Sequence, residues 1–521
     1  MSEQFALAAD AVPRALSLSG AGDILVMALA GGMVCWALVL LIIWYCNRNR
    51  AAIRTGEFHH APAGEAVPRF GGLALAVAFL AVTIVHGFVH DWRCLAQSGT
   101  AAIIITSLAM FAVGFWDDLK PLGARKKLLL QIIIALAAYA LGLQVNAIKD
   151  PFSGTVISLD VLGPVLTVIW LVAMTNLVNL VDGIDGLAGG VALMLMCLLA
   201  YVGYGGVEMQ LVIAAGMAGA LLAFLRFNFP PARIYLGDGG AYFLGFLIGA
   251  MTIANSHKGT VLAALIAPVI ALGLPIIDTS LAIIRRGLSG LPLFRADRKH
   301  IHHRLMQRGL SRTKTVLLLY AVSVAFLLVA FAMFWSEQRY TPMIFGLVFL
   351  LFLIALQGRA IGLDWLTVGR SIGNSRAMRR QTRYVMTLGC WLEMEAERCE
   401  SLDALWDDFT FMARKVGFTR VKVVLSDGHR AWTSEQHHAS TVQPEHIFEF
   451  NPGGRMLVIL QCNSDRYDSL LVSHLSELTA EAWLKAVRTL MQRDRVLRFA
   501  GESSSGEPAS VTPGPAIQGA F

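Results

Sequence analysis

The stretch Asn176-Leu177-Val178-Asn179-Leu180-Val181-Asp182-Gly183-Ile184-Asp185-Gly186-Leu187-Ala188 stands between two apolar runs, 162–179 and 187–204. Its polar residues recur every third position, at 176, 179, 182 and 185. On one helix such positions form a polar stripe that drifts slowly around the axis. Gly183 and Gly186 predict that the helix ends there and the backbone turns tightly. Two amides and two carboxylates suit a hard, oxygen-seeking cation such as Mg²⁺ together with a polar ligand. A calcium loop is excluded, because the segment lies between apolar runs and has no terminal glutamate. Ionisable groups at membrane level are costly, so they are functional candidates.

The flanking runs are two of many. The 521 residues are 56% hydrophobic and only 15% charged, where a soluble chain carries about a quarter charged. A helix needs about 20 apolar residues to cross a bilayer. Eleven runs qualify: 22–46, 70–89, 99–116, 128–144, 162–179, 187–204, 209–226, 240–255, 260–284, 315–335 and 341–357. The run from Ile24 to Tyr45 reads as a retained helix. The odd-to-even connections, counting Arg226, hold nineteen Lys and Arg, against five in the N-terminal tail and the remaining connections. The positive-inside rule puts the first set in the cytoplasm, the N-terminus outside and the C-terminal region inside. The net charge of +7 is accounted for by these connections and needs no nucleic-acid partner. The seven cysteines have no C-x-x-C spacing, which argues against a zinc site or a disulfide framework.

Four further polar segments fall on the same cytoplasmic side. Pro68-Arg69-Phe70-Gly71-Gly72 enters the second run and reads most simply as a helix start. Asp117 and Asp118, in Phe115-Trp116-Asp117-Asp118-Leu119-Lys120, leave the third run as adjacent carboxylates. They repel each other, and at a helix C-terminus they oppose the macrodipole, so a cation or a phosphate–metal pair would relieve them. Arg233-Ile234-Tyr235-Leu236-Gly237-Asp238-Gly239-Gly240 sets one carboxylate on an exposed turn that phosphate can approach, with Arg233 able to neutralise it. In Arg295-Ala296-Asp297-Arg298-Lys299-His300-Ile301-His302-His303-Arg304, three imidazoles sit among four basic residues. A zinc site would want neutral imidazoles, so the mixture fits an anion such as a diphosphate better. Asp278 stands alone inside the ninth run.

Together these segments resemble the polyprenyl-phosphate N-acetylhexosamine-1-phosphate transferase family, in chain order from about Pro68 to Ser311. His300-Ile301-His302-His303-Arg304-Leu305 is similar to the branch that starts wall teichoic acid, enterobacterial common antigen and O-antigen chains. The phospho-MurNAc-pentapeptide transferase branch is the weaker match. The resemblance implies transfer of HexNAc-1-phosphate, with UDP-N-acetylglucosamine favoured as donor, onto undecaprenyl phosphate, releasing UMP. It implies Mg²⁺, with Mn²⁺ as an acceptable substitute, and a multi-pass enzyme of the inner (plasma) membrane, compatible with a homodimer. Asp117 and Asp118 would engage the lipid phosphate, one as general base, and Asp238 joins them as catalytic. Asp238 would hold the metal with Asn179. Asn176, Asp182, Asp185 and Arg233 would line the nucleotide-sugar pocket, and His300, His302, His303 and Arg304 would grip the diphosphate or departing UMP. The rival class is a transporter with a regulatory domain, which predicts charges near the bilayer midplane; only Asp278 is of that kind.

The expected fold is therefore a polytopic all-α membrane protein of about eleven helices followed by a cytoplasmic α/β domain. Its parts are a tail (1–21), a membrane domain (22–357), a soluble domain (358–500) and a disordered Ser-, Gly- and Pro-rich end (501–521). In the soluble domain helices are predicted from about Arg379, over 401–417 and over 468–496, with strands at Arg420–Leu425, Ala431–Ser434, His446–Phe450 and Arg455–Gln461. That order is weakly similar to GAF-type sensory folds.

Overall fold

A computed structural model of the chain describes residues 18–48, 67–89, 98–149, 155–203, 208–256, 273, 305–306, 309–335, 365–425, 428–433, 445–450, 456–463 and 469–504. Those up to 335 belong to one compact unit and those from 365 onward to a second.

The first unit is built from α1 (Leu18–Arg48), α2 (Gly71–Val89), α3 (Ser98–Leu119), α4 (Ala124–Ala140), α5 (Leu162–Val181), α6 (Leu187–Gly203), α7 (Glu208–Asn228), α8 (Gly237–Ser256) and α9 (Arg312–Trp335). Six of these are long and apolar enough to cross a membrane: Ile24–Arg48, Gly71–Phe88, Gly99–Leu119, Leu162–Val181, Met209–Asn228 and Gly237–Asn255. The protein is a polytopic membrane protein. α4, α6 and α9 fall on the expected runs 128–144, 187–204 and 315–335, while 260–284, with Asp278, and 341–357 lie outside the described residues apart from Gly273. One expectation needs correcting: the unit is not all helix. A short antiparallel hairpin, β1 (Ala147–Lys149) with β2 (Val156–Ser158), fills the connection before α5. Pairing its backbone groups lets this connection run between helices without leaving them unsatisfied.

Burial ranks the helices. The α1 span is 28% buried and the α8 span 89%, so α8 is central and α1 peripheral. On α1 the exposed apolar side chains Leu25, Leu29, Met33, Trp36, Leu40 and Trp44 recur every three or four residues, which is one helix face turned toward lipid. α8 instead buries Tyr242, Phe243 and Phe246. Phe243 meets Phe79 of α2 at 5.3 Å and Phe111 of α3 at 6.4 Å between ring centroids, both edge-on. At Gly114 the α3 backbone runs so close to Asp238 and Gly239 that a Cβ would overlap them. This close approach brings the end of α3 onto the start of α8, where the site lies.

The second unit comprises α10 (Trp365–Ala396), α11 (Leu402–Val416), the strands β3 (Arg420–Leu425), β4 (Gly428–Thr433), β5 (Glu445–Phe450) and β6 (Met456–Asn463), and α12 (Ser469–Ser504). The four strands form an antiparallel sheet in the order β4-β3-β6-β5. Val421, Val423, Val458 and Leu460 alternate along the central pair and are buried with Phe409 of α11 and Trp483 of α12. The Ser401 hydroxyl caps α11 by accepting the Ala404 N–H, and Gly417 closes it in the left-handed region at φ 108°. β4 begins at Gly428, three residues before the expected Ala431, and two helix ends move. α10 begins at Trp365, well before Arg379, and α12 continues to Ser504, so residues 501–504 are helical instead of disordered. Both extensions contain glycine, Gly369 and Gly373 in α10 and Gly501 in α12, which weakens the helix signal in the sequence. Residues 505–521 lie outside the described residues.

Candidate active site

α3 ends in the two adjacent carboxylates, and each finds a different relief from its unfavourable place at a helix C-terminus. Asp118 reaches across to α8. Its Oδ1 accepts the Asp238 N–H at 2.9 Å and its Oδ2 the Gly239 N–H at 2.8 Å. A charge that opposes the dipole of its own helix thus sits at the positive end of the next, on donors that no intrahelical acceptor reaches. Asp117 turns the other way. Its Oδ1 accepts the Leu122 N–H at 2.6 Å and its Oδ2 pairs with the Lys127 ammonium on the first turn of α4. Lys127 also donates to Asp238 Oδ2 at 3.1 Å. One cation therefore lies between two carboxylates that are far apart in sequence.

Beside them is a cavity of about 280 Å³, lined by Arg69, Asp118, Asn179, Asp182, Gly183, Ile184, Asp185, Asn228, Tyr235, Gly237, Asp238, Met306 and Arg312. Its walls come from the segment before α2, the end of α3, the turn from α5 to α6, the loop from α7 to α8, and the chain leading into α9. α5 stops at Val181 and the chain turns through Asp182–Gly186, with Gly186 at φ 81°, where a side chain would be strained. The turn is tied to the α7–α8 loop, since Asp185 Oδ2 accepts the Ala232 N–H at 3.3 Å. Burial pushes the Asp182 carboxyl well above the usual carboxylate range. The negative charges of Asp238, Asp118 and Asp185 act in the same direction, and Arg69 opposes them.

The sequence-predicted residues divide accordingly. Asn179, Asp182, Asp185, Asp118 and Asp238 meet at the cavity, with Asp117 behind them on Lys127. Asn176 does not join them. Its amide donates to Gln131 Oε1 of α4 and to the Val172 carbonyl, both at 2.8 Å. Three residues along a helix is 300° of rotation, so the stripe has turned away from the cavity by that point. Arg233 is exposed, with its guanidinium over the Phe227 ring at 5.7 Å, and does not line the cavity. His300, His302, His303 and Arg304 lie outside the described residues, although Met306, two residues further on, lines the wall. Sequence reasoning missed Arg69, read as part of a helix start, and Arg312, the first residue of α9. Both are basic residues at the membrane edge, and only the fold shows that they face one cavity. Lys127, which with Lys126 begins the fourth run beside the aspartate pair in the sequence, is found on Asp117 and also on the distant Asp238.

The donor set fits Mg²⁺. Asp182, Asp238 and Asn179 offer hard oxygens around a space with room for a ligand, and Mg²⁺ is usually held by one or two carboxylates plus substrate phosphates. Among the described residues no three carboxylate or imidazole groups converge as a ready cage.

Residues 100–256 match the model of glycosyl transferase family 4. A probable undecaprenyl-phosphate N-acetylglucosaminyl 1-phosphate transferase of Bacillus subtilis (strain 168) is 34% identical over 261 residues, covering 50% of this chain and 71% of that protein. The chain belongs to glycosyl transferase family 4. A decaprenyl-phosphate N-acetylglucosaminephosphotransferase of Mycolicibacterium smegmatis (strain ATCC 700084 / mc(2)155) is 30% identical over 286 residues, 49% of this chain and 69% of its own. A phospho-N-acetylmuramoyl-pentapeptide-transferase of Clostridium perfringens (strain SM101 / Type A) is 32% identical over 277 residues, 51% and 82%. The family-4 match contains Asp117, Asp118, Lys127, Asn179, Asp182, Asp185 and Asp238, whereas Arg69 and Arg312 fall outside it.

Proposed function

We propose that this family 4 enzyme transfers HexNAc-1-phosphate, from UDP-N-acetylglucosamine as the favoured donor, to undecaprenyl phosphate. A lipid phosphate oxygen attacks the sugar-bearing phosphorus of the UDP-sugar, the bond to the bridging oxygen breaks, and UMP leaves with that oxygen. The observation that carries the reading is the grouping of Asn179, Asp182, Asp185 and Asp238 with Arg69 and Arg312 around one cavity at the ends of membrane helices. A lipid phosphate stays at headgroup level, so its partner must be met at helix ends. We place that face in the cytoplasm, at the inner membrane, on the charge asymmetry of the connections.

The chemistry sets an anion against an anion, so the protein must neutralise charge. Mg²⁺, held by Asp182, Asp238 and Asn179, would supply neutralisation of the diphosphate and of the leaving UMP. Arg69 and Arg312 bind phosphate oxygens from the cavity walls. Lys127, between Asp117 and Asp238, orients both carboxylates and offers the lipid phosphate a cation. Asp118 has both oxygens engaged by α8, so it positions Asp238, and Asp117, engaged by the Leu122 N–H and by Lys127, holds that ammonium in place beside the cavity. His300, His302, His303 and Arg304 complete the diphosphate grip.

A second reading is an enzyme of the MurNAc-pentapeptide type, favoured by the 32% identity to the Clostridium perfringens protein. A donor screen separates the two. Purified protein is expected to release UMP from UDP-N-acetylglucosamine only when undecaprenyl phosphate and Mg²⁺ are both present. No release from any UDP-HexNAc would sink the proposal, and release from UDP-MurNAc-pentapeptide alone would select the second reading. For the C-terminal unit we propose a GAF-type sensory role, on the strength of its antiparallel sheet with α11 and α12 packed to the inner face. Truncation before α10 is then expected to leave basal transfer.

A further inference from the structure

The Asp182–Gly186 turn is not held by its own helix alone. Its last peptide is gripped from two other elements. The Gly186 N–H donates to Asn228 Oδ1 at 3.0 Å, and Asn228 Nδ2 donates onward to the Ile234 carbonyl at 2.8 Å. The Gly186 carbonyl accepts the Gly190 N–H at 2.9 Å, a helical bond of α6, and also the Tyr320 hydroxyl at 2.5 Å. Tyr320 lies on α9, 134 residues along the chain.

A half-buried tyrosine hydroxyl that faces the protein needs a partner, and many carbonyls would serve. This bond goes to the positive-φ glycine of the site, φ 81°, where the backbone is least restrained by its own residue. The seat is shaped for it: a Cβ on Gly190 would fall on the Tyr320 hydroxyl and ring. The Tyr320 ring also lies 6.5 Å from that of Phe229, in the α7–α8 loop. One side chain of α9 therefore meets two of the connections that line the cavity, the turn at Gly186 and the α7–α8 loop at Phe229, and the first residue of the same helix, Arg312, lines it directly.

We infer that Tyr320 is a positioning residue for the transfer reaction: seated on Gly190, its hydroxyl fixes the Gly186 carbonyl and so sets Asp182 and Asp185 at the cavity. This rests on the reading of the cavity as the transferase site. The lipid-phosphate end, at Asp117 and Lys127, is outside its reach.

Tyr320→Phe keeps the ring and removes the bond. In the full-length protein, amide exchange over 182–190 is expected to speed by about tenfold, the effect of losing one hydrogen bond, with α8 unchanged. kcat is expected to fall by about tenfold while the KM for undecaprenyl phosphate stays put, because a small displacement of positioned groups slows chemistry. Gly190→Ala, which pushes the hydroxyl off its seat, should reproduce both effects. Wild-type exchange and kcat in Tyr320→Phe overturn the inference. So does faster exchange spread evenly through the bundle, which is the mark of a purely structural side chain. If the wild-type protein transfers nothing from any UDP-HexNAc, the proposed function fails. Faster exchange confined to 182–190 would then still establish the clamp itself, and unchanged exchange would remove it too.

Discussion

Asp118 and Gly239 are joined across 121 residues of sequence: the Asp118 Oδ2 accepts the Gly239 N–H at 2.8 Å, and the neighbouring Oδ1 accepts the Asp238 N–H at 2.9 Å. The carboxylate is an N-terminal cap supplied by another helix. Asp118→Asn keeps one acceptor oxygen and turns an NH₂ toward a backbone donor. Loss of such a cap costs about 0.5–2 kcal/mol, more where a donor is left buried and unpaired. The variant is therefore expected to melt earlier and to lose turnover, because Asp238 is the residue being capped. Unchanged melting would refute the capping role; unchanged turnover would refute its link to the site.

Lys127 stands between Asp117 and Asp238. Lys127→Met leaves two facing carboxylates without their cation, which is strongly unfavourable when the pair is partly buried. Thermal stability in EDTA is expected to fall. Added Mg²⁺ should then raise the melting temperature more in the variant than in the wild type, since a divalent ion can take over the neutralisation. Turnover should drop by roughly a hundredfold or more even with Mg²⁺, as expected for a group near developing charge. Equal Mg²⁺ responses in the two proteins would show that the ammonium and the metal act at unrelated places.

Much of this site is legible in the sequence because membrane physics makes charges expensive. Asp117, Asp118, Asp182, Asp185 and Asp238 stand out against apolar runs, and all belong to the one site. Asn176 misled because a three-residue repeat looks like one stripe, whereas the helix rotates it onto Gln131 of α4. Arg233 misled because a basic residue beside Gly237-Asp238 looks like a phosphate ligand, yet its guanidinium lies over Phe227. Arg69 and Arg312 were hidden for the opposite reason. Basic residues at helix ends are what membrane topology demands anyway, so their sequence says nothing of which ones turn inward. In the second unit β3 matches its expected bounds, because Val421 and Val423 alternate with Arg420 and Lys422 in a β-branched run, while the glycine-containing ends of α10 and α12 carry no such signal.

Asp182 makes stability depend on pH with a definite sign. Its carboxyl is raised in the fold, first by burial and then by Asp238, Asp118 and Asp185, so the folded chain holds this proton more tightly than the unfolded one. Stability then falls as pH rises from the unfolded value, about 3.9, through the raised native value. Asp182→Asn removes that loss. In metal-free buffer the variant should melt like the wild type below about pH 4 and increasingly above it as pH rises, with the gap levelling at high pH. Mg²⁺ should narrow the gap, because the ion favours the carboxylate that only the wild type has. A gap that is constant with pH would mean that Asp182 is not perturbed by its neighbours.

Arg312 and Arg233 give a paired test of what the cavity walls do. Arg312 lines the cavity from the first residue of α9, while Arg233 lies over Phe227 and takes no part in the lining. Charge-assisted hydrogen bonds to phosphate contribute about 1.5–3 kcal/mol. Arg312→Gln is accordingly expected to raise the KM for the UDP-sugar by about tenfold or more, with less effect on the KM for the lipid. Arg233→Gln should change either KM by less than about threefold, because its guanidinium lies over Phe227 and not on the cavity wall. Raising the ionic strength should weaken donor binding in the wild type more than in Arg312→Gln, since the variant has already lost that charge. If Arg233→Gln proves the more damaging of the two, the diphosphate approaches along the α7–α8 loop instead of across the cavity toward α9.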